Sequence, residues 1–140
     1  MSEQTTLVVE TRGPGLYEVT PDVSRWLHTI GAGDGLLTLL VRHTSASLLI
    51  QENADPDVRG DLQGWAERFV PRGTDPSMGW LTHTLEGPDD MPAHIRAAHL
   101  PVSLGVPVAE GRMRLGTWQG IYLWEHRDRR HRREIALHFG

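Results

Sequence analysis

Two residue types are missing from this 140-residue chain. There is no cysteine, which excludes disulfides, thiolate nucleophiles and cysteine-ligated zinc and fits a reducing cytoplasm, where the protein is expected. There is no lysine either. All 14 basic residues are arginine, so the chain has neither a phosphate-cradling P-loop lysine nor a Schiff-base lysine; compositional bias of the source genome is the simplest account. No apolar run approaches the ~20 residues of a membrane-spanning helix. The N-terminal MSEQTTLVVETR lacks the basic-then-apolar order of a secretory signal. The net charge is −4, and the one basic cluster, Arg127 to Arg133, is interrupted by Asp128. Neither nucleic acid nor membrane is therefore expected as a partner.

Histidine, by contrast, is abundant, with eight residues. It is the commonest metal ligand and the usual acid–base group near neutral pH. The length suits one domain, residues 1–140, able to bury roughly two-thirds of its unfolded surface. Strands are predicted at 5–11 and 16–19, across the turn Gly13-Pro14-Gly15. A helix starts at Thr20-Pro21-Asp22 and ends at Gly31. Strands follow at 35–44 and 47–53, then a helix over 57–70 with Val58, Leu62, Trp65, Ala66 and Phe69 as its apolar stripe. Residues 71–82 read as loop, 90–100 as a short helix capped by Asp89 or Asp90, and 101–108, 112–117, 120–127 and 134–139 as strands. That order lacks strict βα alternation. It predicts an α+β fold: a single compact domain with a mainly antiparallel β-sandwich-like core and two or three helices.

Several polar residues fall where apolar ones belong. Side chains alternate faces along a strand, so His43 continues the inward row Leu37, Leu39, Val41. Glu125 ends the inward row Ile121, Leu123; a buried carboxylate needs a partner, and Arg130, Arg132 and Arg133 are close in sequence. Asp61 lies about 60° from the axis of the helix stripe, a half-buried position. The opposite alternation turns His126 outward, and His131 falls in the arginine-rich turn; both are expected in solvent. His28 and His99 read as partly buried helix residues and His138 as outward-facing.

The segment HTLEGPDDMPAH (83–94) sets His83 and His94 around a Gly/Pro-stiffened turn. H-x10-H is not a standard zinc spacing. With His43 arriving from a strand end, three imidazoles would match the three-ligand pattern of open zinc sites, and a helix start beside them would favour an anion. Residue spacing leaves this reading open beside a polar surface loop and a set of structural histidines.

Three blocks carry a resemblance: HTSASLLIQENADPDVRGDL (43–62), HTLEGPDDMPAHIRA (83–97) and PVAEGRMRLGTWQGIYLWEHRD (107–128). Together they are similar to the YjbQ family, an uncharacterised protein family associated with secondary thiamine-phosphate synthase activity. The resemblance spans nearly the whole chain. It implies a compact α+β homotrimer and a pocket metal held by motif histidines, here His43, His83 and His94. Some relatives carry a further histidine two places before the equivalent of His94, where this chain has Pro92. The implied activity joins a hydroxymethylpyrimidine diphosphate to a thiazole phosphate and releases diphosphate.

On that basis the expected ligand is a small phosphorylated or anionic molecule. Asp61, Glu52 or Glu125 would orient a ligand imidazole or move a proton. Asn53 and Gln119 would donate hydrogen bonds, and Trp118 would wall the pocket or stack on a pyrimidine. Three imidazoles suit zinc or another transition metal better than magnesium, although magnesium suits a diphosphate leaving group. Two other classes stay open: a non-catalytic protein binding a metal or anionic metabolite, and a structural protein whose histidines satisfy buried hydrogen bonds. Asp89 and Asp90 are expected to cap the helix that presents His94, with the role of Glu86 unassigned.

Overall fold

The computed structural model describes residues 1–140. Its elements run β1 (Glu3–Glu10), β2 (Gly15–Glu18), α1 (Thr20–Thr29), β3 (Gly35–Val41), β4 (Ala46–Glu52), α2 (Pro56–Phe69), α3 (Asp90–His99), β5 (Ser103–Ala109), β6 (Arg112–Met113), β7 (Gln119–Glu125) and β8 (Arg132–Phe139). A single 3-10 turn, Pro76–Met78, interrupts the long loop before α3. The strands form two antiparallel sheets, one of five strands in the order β1-β8-β3-β5-β6 and one of three in the order β2-β7-β4. The expected α+β architecture is therefore present. No helix is long and apolar enough to cross a membrane.

Alternation places the main core between the sheets. Leu37, Leu39 and Val41 of β3, Ile135, Leu137 and Phe139 of β8, and Ile121 and Leu123 of β7 form one cluster with Val23 and Leu27 of α1. Leu36 and Leu40 point the other way from β3 and stay exposed, because no helix covers that face of the five-stranded sheet. The β5–β6 hairpin turns on Glu110 and Gly111, at φ 53° and 77°, the paired positive φ values of a type I′ turn. Its two-residue length sets Val108 opposite Met113. β6 is shorter than the run 112–117 predicted for it: after Met113 the chain leaves the sheet edge toward the turn that leads into β7.

β7 is buried on both faces, which changes two expectations. Tyr122 and Trp124, on the side away from the main core, lie under α2. Arg59 donates to the Tyr122 hydroxyl at 3.1 Å and Trp124 Nε1 donates to Gln63 at 2.8 Å. Residues 59, 63 and 66 share a helix face at i, i+4, i+7 spacing, and Ala66 closes the contact, fully buried. These polar anchors rotate α2 away from its apolar stripe. Trp65 and Phe69 are 48% and 46% exposed and stack on each other with centroids 4.9 Å apart. Asp61, expected to be half-buried, is exposed for the same reason.

Candidate metal centre

Asp90 opens α3 and His94 follows one turn later, so the two side chains share a face. His83 arrives from the preceding loop. Gly87, at φ 100°, reverses the chain there, in a region that favours glycine. The N–H of Gly73 donates to the Pro88 carbonyl at 2.8 Å and ties the loop down. Asp90 Oδ2 then lies 3.0 Å from His83 Nε2 and 3.5 Å from His94 Nε2. The two imidazoles meet edge to face, with centroids 5.8 Å apart. One ligand atom from each of His83, Asp90 and His94 falls within 4.8 Å of the others.

Arg127 organises this cluster from the far side. Its Nη1 donates to Asp90 Oδ1 at 2.8 Å, its Nε to Asp89 Oδ2 at 2.8 Å, and its Nη2 to the Glu86 carbonyl at 3.1 Å. Asp89 also accepts from the Asp128 N–H at 2.9 Å. Burial pushes the Asp89 carboxyl up, but Arg127 and that N–H outweigh it and hold it below its ordinary value. The Asp89 hydrogen bond in turn raises Arg127. Asp89 takes the N-cap position as expected, but its side chain makes no cap hydrogen bond; both carboxylates face Arg127 because a guanidinium fork is a stronger partner than helix N–H groups. Glu86 contributes its carbonyl.

The donor set fits a transition metal. Two imidazoles and one carboxylate suit zinc, iron or nickel, and Asp90 meets the geometry on its own terms: Arg127 occupies one oxygen and leaves the other facing both rings. The buried Asp90, 2% exposed, is aimed by its guanidinium partner, the outer-sphere arrangement that orients metal ligands.

His43 stands apart from this trio. The backbone N–H of Glu134 donates to its Nε2 at 2.8 Å, and burial together with Arg133 lowers its pKa. Its ring lines a groove of about 380 Å3 shared with Val41, Thr44, His94, Ala97 and Val102. The set His43, His83, His94 therefore differs from the observed cluster in its third member. Asp90 stands there, carried by the helix that also carries His94, while the Nε2 of His43 is committed to β8.

The remaining predicted site residues separate into three places. Glu125 is fully buried and accepts from Thr11 Oγ1 at 2.7 Å, Arg133 Nε at 2.8 Å, and the N–H groups of His126 and Arg127 at 3.0 and 3.1 Å. Arg133 Nη2 makes a further short contact with Glu125 and reaches Ser45 Oγ at 3.0 Å. Burial pushes the Glu125 carboxyl up, yet the hydrogen bonds from Arg133 and Thr11 hold it below its ordinary value. It ties the end of β7 to β8 and to Thr11, the residue after β1.

Glu52, Asn53, Trp118 and Gln119 gather at the other end of β4 and β7. The register pairs Ala46 with Glu125 and Glu52 with Gln119, so six residue steps, about 20 Å at ~3.3 Å each, separate the two ends. There Glu52 accepts from the N–H groups of Ala54 and Asp55 at 2.7 and 2.8 Å. Asn53 Nδ2 donates to the Gln119 carbonyl at 3.2 Å, the Gln119 side chain accepts from the Gly116 N–H at 2.8 Å, and Trp118 is exposed. Asp61 lies on the outer surface of α2.

Sequence reasoning missed Asp90, Arg127 and His126. The Asp90/His94 i,i+4 spacing was the available signal for the first. His126, expected in solvent, is 1% exposed, because α2 and α3 cover the second face of β7. Burial, with Arg96 nearby, pushes its pKa down to about 3. Its native value lies below that of the unfolded chain, so the neutral ring contributes stability that is complete above about 6.5 and is lost as pH falls toward 3. Urea unfolding between pH 6.5 and 4.5 should show a slope of up to about 1.4 kcal/mol per pH unit from this group. A His126→Gln protein should lose that component; an unchanged slope would sink the assignment.

Comparison with known proteins extends these observations. The family described as UPF0047 protein YjbQ-like matches residues 4–140. A UPF0047 protein of Synechocystis sp. is 47% identical over 135 residues, which is 96% of this chain and 89% of that protein. The UPF0047 protein YjbQ of Escherichia coli O157:H7 is 46% identical over 125 residues, 89% of this chain and 87% of that one. A hypothetical protein of Aeropyrum pernix, solved by crystallography, superposes with a TM-score of 0.86 at 30% identity, covering 99% of this chain and 98% of its own. A conserved hypothetical protein of Thermus thermophilus gives a TM-score of 0.81 at 34% identity, covering 95% and 97%.

Proposed function

Because the chain belongs to the YjbQ-like family of uncharacterised UPF0047 proteins, we propose that it acts, with a transition metal such as zinc, on a small phosphorylated molecule at His83, Asp90 and His94. The observation carrying this reading is the divided carboxylate of Asp90: Oδ1 is neutralised by Arg127 and Oδ2 faces two imidazoles. A bound metal would supply a Lewis acid for a phosphoryl oxygen. The chain's own residues do the rest. Arg127 holds the Asp90 carboxylate in place through its Oδ1. The adjoining groove, walled by Val41, Ala97 and Val102, offers apolar surface for an organic moiety.

Joining a hydroxymethylpyrimidine diphosphate to a thiazole phosphate is a reaction of this class, and the family resemblance makes it the first to try, as a secondary activity. The Asn53–Trp118–Gln119 end lies six residue steps along β7 from Glu125, about 20 Å; a homotrimer, which the family resemblance implies, would let one chain's second end complete its neighbour's site. The uncovered outer face of the five-stranded sheet, with Leu36 and Leu40 exposed, supplies apolar surface for such contacts.

A second reading, binding without turnover, is favoured by one observation: Asp61, Glu52 and Glu125 all lie on the outer helix surface, in a closed turn or in a structural ion pair, so none is poised for proton transfer at the cluster. Zinc-loaded protein incubated with the pyrimidine diphosphate and thiazole phosphate should form thiamine phosphate, and His94→Ala protein should not. Equal rates in the two proteins would remove the cluster from the chemistry, and saturable binding of the diphosphate without product would establish the second reading.

A further inference from the structure

A second cavity lies behind Arg127, between α2, α3 and the segment after β7. It encloses about 200 Å3 and is lined chiefly by polar side chains, among them Gln63, Glu67, Arg72, Arg96, His126 and Asp128. At ~30 Å3 per water it has room for about six waters, or for a small ion with several heavy atoms. Two nitrogens on its lining residues, Arg96 Nε and His126 Nδ1, are buried and have no hydrogen-bond partner in the protein. Such orphans are rare in native proteins and call for a water or an ion.

Both orphans are donors. The buried Ser47 hydroxyl lies 2.9 Å from His126 Nε2, and it must place its own proton on an acceptor. Nε2 accepts it, so the neutral ring carries its proton on Nδ1. The other tautomer would leave the Ser47 proton without an acceptor. Arg96 is 7% exposed, and its hydrogen bond runs from Nη2 to the Val70 carbonyl at 2.8 Å; it belongs to no salt bridge. A buried guanidinium lacking a carboxylate is costly.

The neighbouring charges are already matched. Arg72 pairs with Asp128 through two hydrogen bonds, at 2.8 and 3.3 Å, and Asp89 pairs with Arg127. Of the carboxylates around Arg96, that leaves only the exposed Glu67 at the rim without a partner of its own, since Asp128 and Asp89 are already held by Arg72 and Arg127. Two buried N–H donors without partners, one of them cationic, belong to residues lining this polar enclosure and call for an acceptor of single negative charge. We propose that this cavity binds a small oxyanion, of the carboxylate or phosphate class, through Arg96 Nε–H and His126 Nδ1–H. The site is separate from the metal cluster, with the Asp89–Arg127–Asp90 linkage between them, and it stands whether or not a metal binds.

Side-chain nitrogen NMR of the full chain tests this directly. The His126 ring should carry its proton on Nδ1. Titration with inorganic phosphate and, in a separate arm, with acetate should shift the Nδ1–H and Arg96 Nε–H signals saturably, beyond a chloride control of equal ionic strength. The arm that saturates at lower concentration identifies the class. Glu67→Gln, a surface change that leaves the buried groups in place, should tighten binding roughly threefold to tenfold by removing a repelling charge. Arg96→Gln should weaken it by about tenfold or more, a charge-assisted hydrogen bond being worth about 1.5–3 kcal/mol. Should Arg96→Gln fail to fold, the wild-type and Glu67→Gln titrations decide alone. The proton on Nε2, no saturable response to either anion, or equal affinity in Glu67→Gln would each overturn the proposal and leave water as the occupant.

Discussion

Glu125→Gln should lower the unfolding free energy by about 3–5 kcal/mol, the usual cost of breaking a buried ion pair from one side. The substitution keeps the shape of the side chain and removes its charge, stranding Arg133, which is 3% exposed. Four donors besides the short Arg133 Nη2 contact converge on this carboxylate, from Thr11 just after β1, from β8 and from the backbone just after β7. Losing it loosens the five-stranded sheet from the three-stranded one. Arg133→Met should be comparably costly, since it leaves the carboxylate buried alone. The double variant Glu125→Leu/Arg133→Met should lose much less than the two single losses added, because no uncompensated charge remains. The acid limb carries the same signature. The folded Glu125 pKa lies below its ordinary 4.5, so its contribution is complete above that value and disappears as pH falls through the folded pKa. Urea titrations of the four proteins at neutral and acid pH read all of this, and a single-variant loss under about 1 kcal/mol would show the pair to be energetically idle.

Asp90→Asn should abolish metal retention while keeping the fold. The amide preserves the volume and one oxygen for Arg127, so the metal-free protein should lose no more than about 1–3 kcal/mol. The wild type, by contrast, should gain stability with zinc by linkage, about 2.7 kcal/mol when free metal reaches a hundred times its dissociation constant. That gain should vanish in Asp90→Asn and in His83→Ala. His43→Gln decides the third ligand. With His43 outside the cluster and its Nε2 accepting from Glu134, the variant should keep its zinc response. If it lost the response while Asp90→Asn kept it, the three-histidine set would replace the cluster proposed above. Metal content by mass spectrometry and thermal melts with added zinc give the two readouts.

The local order of this chain was legible for simple reasons. Pro21 and Pro56 open helices, and alternation along β3 and β8 assigns their inner faces correctly. Part of the site was equally local: His83 and His94 flank a turn that Gly87 reverses. Other expectations failed where a residue's fate depended on what lies across from it. Periodicity placed Trp65 and Phe69 in the core, yet α2 docks through Arg59 and Gln63 because Tyr122 and Trp124 need polar partners on that side of β7. Alternation put His126 on the face opposite Glu125, which is where it lies; what it could not show is that two helices cover that face.

The sequence by itself determined the element order, the α+β class, the family and the histidines of the central turn, since each follows from contacts within a few residues or from a match along the whole chain. Only the tertiary structure decided that Asp90 stands with His83 and His94. It also decided that His43 answers to β8, and that Asn53, Trp118 and Gln119 gather at the opposite end of β7 from Glu125, about 20 Å along the strand. The physical reason is reach. Arg127 meets Asp90 across 37 residues, and Glu134 meets His43 across 91, and such partners are chosen by how the sheets and helices stack, which no local pattern records.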